Sequence, residues 1–337
     1  MITAKAIFSQ TCWQRQWAQA ITDPVELLRE LALDPARLPG AQAAALKFPL
    51  RVPRGFVARM RQGDPDDPLL RQVLPLAAEL DPALGFEADP LNEHVAQAVS
   101  GVLHKYHGRA LLIATGVCAV HCRYCFRREF PYAEAYAGTD QWRPALAYLG
   151  SDPSLREVIL SGGDPLALSN QRLETLLAAL EHIPHLERLR IHSRLPIVLP
   201  ERVDDGLLDV LTRTRLRPVL VVHANHPHEI DGTVVKALES LATAGVTLLN
   251  QSVLLRGVND DAAILAALSE ALFAARVLPY YLHLLDQVQG AAHFAVKESA
   301  AFAIMNVLRQ RLPGYLAPRL VREQPGQLAK TLVEPRS

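Results

Sequence analysis

The chain has 337 residues, half of them hydrophobic, which is enough for a large core and for a helical region beside an α/β barrel. Lys plus Arg and Asp plus Glu balance at 35 each, so bulk charge makes no case for nucleic acid or an anionic membrane, and any charged partner has to be met by a local patch. No apolar run reaches the length of a membrane span, the N-terminus lacks a signal-peptide core, and four cysteines with three of them clustered point to a reducing cytoplasm rather than a disulfide scaffold.

Residues 1–95 read as a helical region. Asp23-Pro24-Val25-Glu26 has the form of a helix start, with a capping Asp, a Pro in the first turn and an early Glu. Leu27, Leu28, Leu31 and Leu33 follow near helical spacing, and Pro53, Pro65, Pro68 and Pro75 break the next stretch into short pieces. No chemistry-bearing pattern occurs there, so the region is assigned to packing, a lid or an oligomer surface. Cys12 is read as a small side chain with no ligand role.

The pattern changes in residues 96–312. Short apolar runs begin at Ala110, Glu157, Leu189, Pro218, Val246 and Leu278, and helix-like segments follow them, such as Gln171–His182, Val234–Ala244 and Ala262–Ala275. Six strand–helix units in order predict a parallel sheet, and strands buried on both faces read as continuous apolar runs. With no dinucleotide glycine signature, the pattern fits a barrel, complete or incomplete, with functional residues at the strand C-terminal ends.

The loop after the first run carries Cys118, Cys122 and Cys125, spaced C-x3-C-x2-C. Thiolates this close on one loop can grip one inorganic centre, and three on an iron–sulfur cubane leave one iron open. The alternative is a zinc site with His121 as fourth ligand, but neither of the usual paired zinc spacings occurs. After the second run comes Ser161-Gly162-Gly163-Asp164-Pro165, whose glycines let backbone approach a ligand. After the fourth comes His223-Ala-Asn225-His226-Pro-His228-Glu229, for which polar contact is favoured over metal binding, since the histidines have no helical phase.

These segments resemble the radical S-adenosylmethionine (SAM) enzymes, and within them the lysine 2,3-aminomutases. The resemblance covers about residues 20–334. It implies a partial (βα)6 barrel of TIM type, a 4Fe–4S cluster on Cys118, Cys122 and Cys125, and SAM chelated to the open iron and split by one electron into a deoxyadenosyl radical. Ser161, Gly162, Gly163 and Asp164 match the segment that meets the SAM amino group, and His223 and Asn225 match a segment beside SAM and the second cofactor.

That second cofactor, by the same resemblance, is pyridoxal phosphate (PLP). His104-Lys105-Tyr106-His-Gly-Arg109 resembles the family's PLP segment, implying that Lys105 and Arg109 meet the phosphate and Tyr106 packs on the ring. Lys105 stands where the family usually has Arg, so a point charge replaces a planar fork. Residues 313–337 resemble the family's tail, whose final lysine carries PLP covalently; here that is Lys330, and one glycine, Gly326, remains of the family's four. Arg127 matches the arginine that binds the substrate carboxylate. Asp286 matches one of two acids on the distal ammonium, and Glu323 replaces the second, an Asp in the family.

The resemblance therefore implies that (S)-α-lysine is converted to (R)-β-lysine, with an electron donor reducing the cluster. A tail that stops soon after Lys330 and the absence of cysteines after Cys125 resemble the short bacterial branch. That branch makes β-lysine for a ligase that attaches it to elongation factor P. A radical SAM aminomutase for another amino acid and a non-catalytic iron–sulfur sensor are the competing readings. Lys330, Arg127 and Asp286 together speak against the sensor.

Overall fold

The computed structural model describes residues 12–37, 40–132 and 142–334. Its frame is six parallel strands in chain order: β3 (Arg109–Thr115), β4 (Glu157–Gly162), β5 (Arg188–Ser193), β6 (Arg217–Val222), β7 (Thr247–Leu254) and β8 (Leu278–Leu284). These are the six apolar runs of the sequence. A hairpin, β1 (Gln97–Val99) and β2 (Val102–Tyr106), pairs antiparallel onto β3 at one side. At the other, β9 (Arg319–Arg322) runs parallel to β8, and β10 (Thr331–Leu332) returns antiparallel to it. The ten-stranded order is linear, with β1 and β10 as its edges, so the barrel is partial.

Local chemistry starts the crossover helices. Side chains of Ser169, Asp204, Asp231 and Asp261 accept hydrogen bonds from the first turns of the helices Asn170–Glu181, Asp205–Arg213, Gly232–Thr243 and Ala262–Ala274, each cap contributing about 1 kcal/mol. The first of these helices buries Leu173, Leu176, Leu177 and Leu180, one face at helical spacing, against the sheet.

The N-terminal region is helical only in short pieces. The Asp23 cap forms as its sequence suggests, accepting from Val25 N at 3.0 Å, and starts the helix Pro24–Glu30. Helical turns end at a 3-10 turn, Ala77–Glu79, and residues 80–96 hold no helix, because Pro82, Gly85 and Pro90 punctuate them. Leu27, Phe56, Leu69 and Leu70 belong to the same apolar cluster as Leu112, Leu160, Leu176 and Leu220, so this region packs as one core with the barrel. A second cluster joins Leu254, Leu265 and Leu282 to Met305 and Leu308 of the helix Glu298–Arg311 and to Leu320 of β9.

One buried ionic node ties the cysteine loop to the N-terminal region. Arg123 forks onto Glu79, Nε to Oε1 at 2.8 Å and Nη2 to Oε2 at 2.5 Å, and Arg128 donates to the same Oε2 at 2.8 Å. Arg123 also donates to the carbonyl of Phe48 at 2.7 Å. Glu79→Gln leaves two buried guanidinium groups without their shared counter-charge, which costs about 3–5 kcal/mol. The midpoint of thermal unfolding of the variant should fall; an unchanged midpoint would show that the node contributes no stability.

Candidate active site

All the candidate residues line one cavity of ≈ 950 Å³ inside the barrel. The strands aim their ends at it: the cysteine loop follows β3, the glycine pair ends β4, and His223 follows β6.

The loop bearing Cys118, Cys122 and Cys125 is pinned by backbone bonds from His121 N to Arg51 O and from Arg123 N to Gln72 O, both 2.9 Å. Burial pushes the Cys118 thiol well up and that of Cys125 to about 11, and charge on the neighbouring thiols adds to both shifts. Mutual repulsion of this kind requires the three sulfurs to share one space, and a metal cation there would reverse it by taking them as thiolates. His121, the fourth ligand of the zinc alternative, hydrogen-bonds Pro49 O through Nδ1 at 2.8 Å and stacks on Phe48. Among the described residues no three His, Cys, Asp or Glu side chains form a group that could hold a metal ion. Three thiols on one short loop lining one cavity suit an iron–sulfur cluster by donor chemistry.

The glycine pair after β4 serves a different contact from the one its composition suggests. A Cβ on Gly162 would meet Thr115 O at 2.4 Å, and one on Gly163 would meet Val117 O at 2.5 Å. The space is needed by the backbone of the cysteine loop, to which Gly163 N and Asp164 N also donate. Asp164 is buried and staples β4 to β5: it accepts from Leu166 N, from Ser193 Oγ at 2.7 Å and from the backbone of Arg194 and Leu195. Burial raises its pKa despite these bonds.

Asn225 is likewise engaged within the protein. Its amide donates to Gln72 Oε1 at 2.9 Å and Tyr124 Oη at 2.7 Å, and its oxygen accepts from Val253 N at 2.8 Å. His223 differs: its Nε2 is buried without a partner among the described residues, and burial depresses its pKa to about 4. Two histidines that the motif reading missed share this state. His192 on β5 and His283 on β8 also line the cavity with unpartnered Nε2 atoms and depressed pKa values. Their positions on barrel strands were the available signal. Arg194, also missed, donates to Cys122 Sγ at 2.8 Å, to Gln72 Oε1 and to Glu229.

On the tail side, Glu323 accepts from Lys105 Nζ at 3.0 Å through one oxygen and from Lys330 Nζ at 2.9 Å through the other. Burial alone would raise the Glu323 pKa, but the two ammonium charges outweigh it and hold the carboxyl well below the ordinary range. Lys105 and Glu323 are thus paired with each other. Tyr106 lies under the Arg109 guanidinium, 4.6 Å from ring centroid to carbon. Asp286 is in the opposite state to Glu323: burial, then the Glu323 charge, push it up to about 7. Arg127 is buried, forks onto Glu93 and donates to Ser161 Oγ at 2.9 Å.

No protein-family model matches the chain. It is 53% identical to the L-lysine 2,3-aminomutase of Escherichia coli (strain K12) over 96% of this chain and 94% of that one. The enzyme of the same name from Haemophilus influenzae is 49% identical over 95% of each chain, and that of Clostridium subterminale is 37% identical over 96% of this chain and 78% of its own. A solved radical SAM methyltransferase from Sphaerobacter thermophilus superposes at TM-score 0.45 with 17% identity, over 66% of this chain and 68% of that one. Identity of this extent to the curated aminomutases settles the membership: the chain belongs to the L-lysine 2,3-aminomutase family of radical SAM enzymes and is an isomerase.

Proposed function

We propose that this protein converts (S)-α-lysine to (R)-β-lysine with a 4Fe–4S cluster held by Cys118, Cys122 and Cys125, SAM, and PLP carried on Lys330. The observation that carries the reading is that one cavity joins the three thiols to Lys330, with Asp286 and Glu323 beside that lysine. When bound, the groups supply hydrogen-atom abstraction and a conjugated ring over which an unpaired electron spreads.

The chain's own residues position and select. Arg127 meets the substrate carboxylate, and Asp286 with Glu323 meets its distal ammonium. Lys105, Arg109 and Tyr106 hold the phosphate end and ring of PLP. The Ser161 hydroxyl and the carbonyls of the segment Ser161–Asp164, together with neutral His223, supply polar contacts for SAM, while Asn225 orders the loop behind it. Uncharged imidazoles at His192, His223 and His283 can donate or accept without adding a cation beside Lys330. Substrate and cofactors filling this cavity would displace water from around a reactive carbon radical.

An electron donor for the cluster is required. Delivery of β-lysine to elongation factor P through its lysyl ligase is proposed as the use of the product, on the resemblance of the sequence to the short bacterial branch alone.

Asp286 tests the substrate assignment. Removing one partner of a buried ion pair costs about 3–5 kcal/mol, or about 10²–10⁴-fold. Asp286→Asn should therefore cut lysine turnover by that factor with cluster content and SAM cleavage intact. Asp286 pairs with an ammonium only when ionised, and its pKa of about 7 places that event near neutrality. For the unmodified protein kcat/KM for lysine should climb as pH rises through about 7, and the variant should lose that limb. With labelled lysine, glutamate, arginine and alanine supplied separately, only lysine should give its β-isomer. Preference for glutamate would end the reading, since two acids reject a third carboxylate.

A further inference from the structure

Five side chains of alternating charge run along one wall of the cavity: Arg127, Glu93, Lys105, Glu323 and Lys330. Glu93 has no counterpart among the motifs, yet it is the most firmly held member. It precedes β1 on a loop fixed by Glu93 N donating to Asp89 Oδ1 at 3.0 Å, and its side chain is 4% exposed. Arg127 gives it a two-point fork, Nε to Oε2 at 2.7 Å and Nη2 to Oε1 at 2.8 Å.

A guanidinium has five N–H groups. Glu93 takes two of Arg127's; Nη1 gives one to Ser161 Oγ at 2.9 Å and a long one to Gly162 O at 3.5 Å. Phe126 and Phe130 lie 4.9 and 5.8 Å from its carbon. One N–H on Nη2 is left without a protein acceptor among the described residues. The fork that elsewhere recognises a carboxylate is therefore already filled by a carboxylate of the chain itself.

We propose that Glu93 is a specificity-determining residue, an internal carboxylate that keeps the Arg127 fork closed so that a substrate carboxylate engages only the remaining Nη2 N–H and the Ser161 side. The proposal rests on Arg127 being the carboxylate contact. Glu93 then acts twice: it fixes the plane of the guanidinium, and its charge repels a second carboxylate, so the substrate's acid group is held in one place and loosely. Tight two-point capture would bind the substrate in the wrong position, which lowers turnover however strong the binding.

The test compares L-lysine with L-lysinamide, which lacks the carboxylate charge, by calorimetric titration of protein carrying its cluster and PLP. Glu93→Gln opens the fork and leaves a buried cation that the substrate carboxylate can neutralise. The preference for lysine over lysinamide should rise by at least about tenfold, the worth of one charged hydrogen bond, while kcat falls. Glu93→Asp keeps the charge and should stay within about threefold of the unmodified preference. A preference that is unchanged or reduced in Glu93→Gln overturns the proposal, as does an unmodified protein that binds both ligands equally. Should Glu93→Gln fail to fold, a crystal structure of the unmodified protein with lysine decides: the Glu93 fork is expected to persist, and its replacement by the lysine carboxylate overturns the proposal. β-Lysine formation is read from the same samples. Its absence beside carboxylate-dependent lysine binding removes the reaction assigned above and leaves the role of Glu93 standing.

Discussion

Alanine at any one of Cys118, Cys122 or Cys125 is expected to abolish iron loading, SAM cleavage and turnover together, whereas Cys12→Ala leaves all three intact. The three thiols line one cavity, and the charge of Cys122 reaches both Cys118 and Cys125, which makes them a chelating set rather than three separate ligands. Two remaining thiolates leave two irons of a cubane without protein ligands, and the cluster is lost rather than weakened. Cys12 is exposed on the helix Cys12–Ala18, accepts from Gln16 and does not line the cavity. Iron and sulfide content with the electron paramagnetic resonance of the reduced protein measures the effect. Retention of a full cluster in Cys122→Ala, or its loss in Cys12→Ala, would mean that the ligands are assigned wrongly.

Lys330→Ala should remove covalent PLP and reduce lysine turnover to background. Two lysines share Glu323, at 3.0 and 2.9 Å, so geometry alone makes Lys105 a rival for the aldehyde. Lys330 is favoured because its ammonium lies 5.9 Å from the Tyr281 ring and its charge reaches His192, His223 and His283, which sets it beside the cavity's neutral histidines. Lys105 remains as a phosphate contact, so the variant should still bind PLP without a covalent bond. Borohydride reduction and peptide mapping of the unmodified protein should find the pyridoxyl group on Lys330. A label on Lys105 would exchange the roles of the two lysines; one on Lys236 or Lys297, which do not line the cavity, would remove the tail from the mechanism.

The barrel was legible because β3, β4 and β6 are mostly buried and read as apolar runs, each followed by a polar cluster, while the remaining runs keep the same spacing between helix-like segments. The outer strands left no such mark. β9 is Arg-Leu-Val-Arg, two apolar residues flanked by charge, and β10 has two residues in all. The hairpin of β1 and β2 was hidden by its position ahead of the first strong run. The residues picked by motif spacing line one cavity, but spacing did not show which of them are spent on bonds within the protein. Asp164, Asn225 and the glycine pair spend their polar groups and their missing side chains on the protein itself, a matter of three-dimensional packing that no local pattern encodes. Glu93 escaped for a related reason. It sits in a turn-rich stretch without periodicity, and its meaning depends on Arg127, which only the fold brings near.

The most direct measurement of the central claim is chiral chromatography of the product formed from L-lysine. Anaerobically reconstituted protein is supplied with iron, sulfide, SAM, PLP and a reductant, and reactions lacking SAM or PLP run alongside. The account predicts (R)-β-lysine in the complete reaction and none when either cofactor is withheld. Unchanged L-lysine in the complete reaction, from protein that holds its cluster and cleaves SAM, would contradict it.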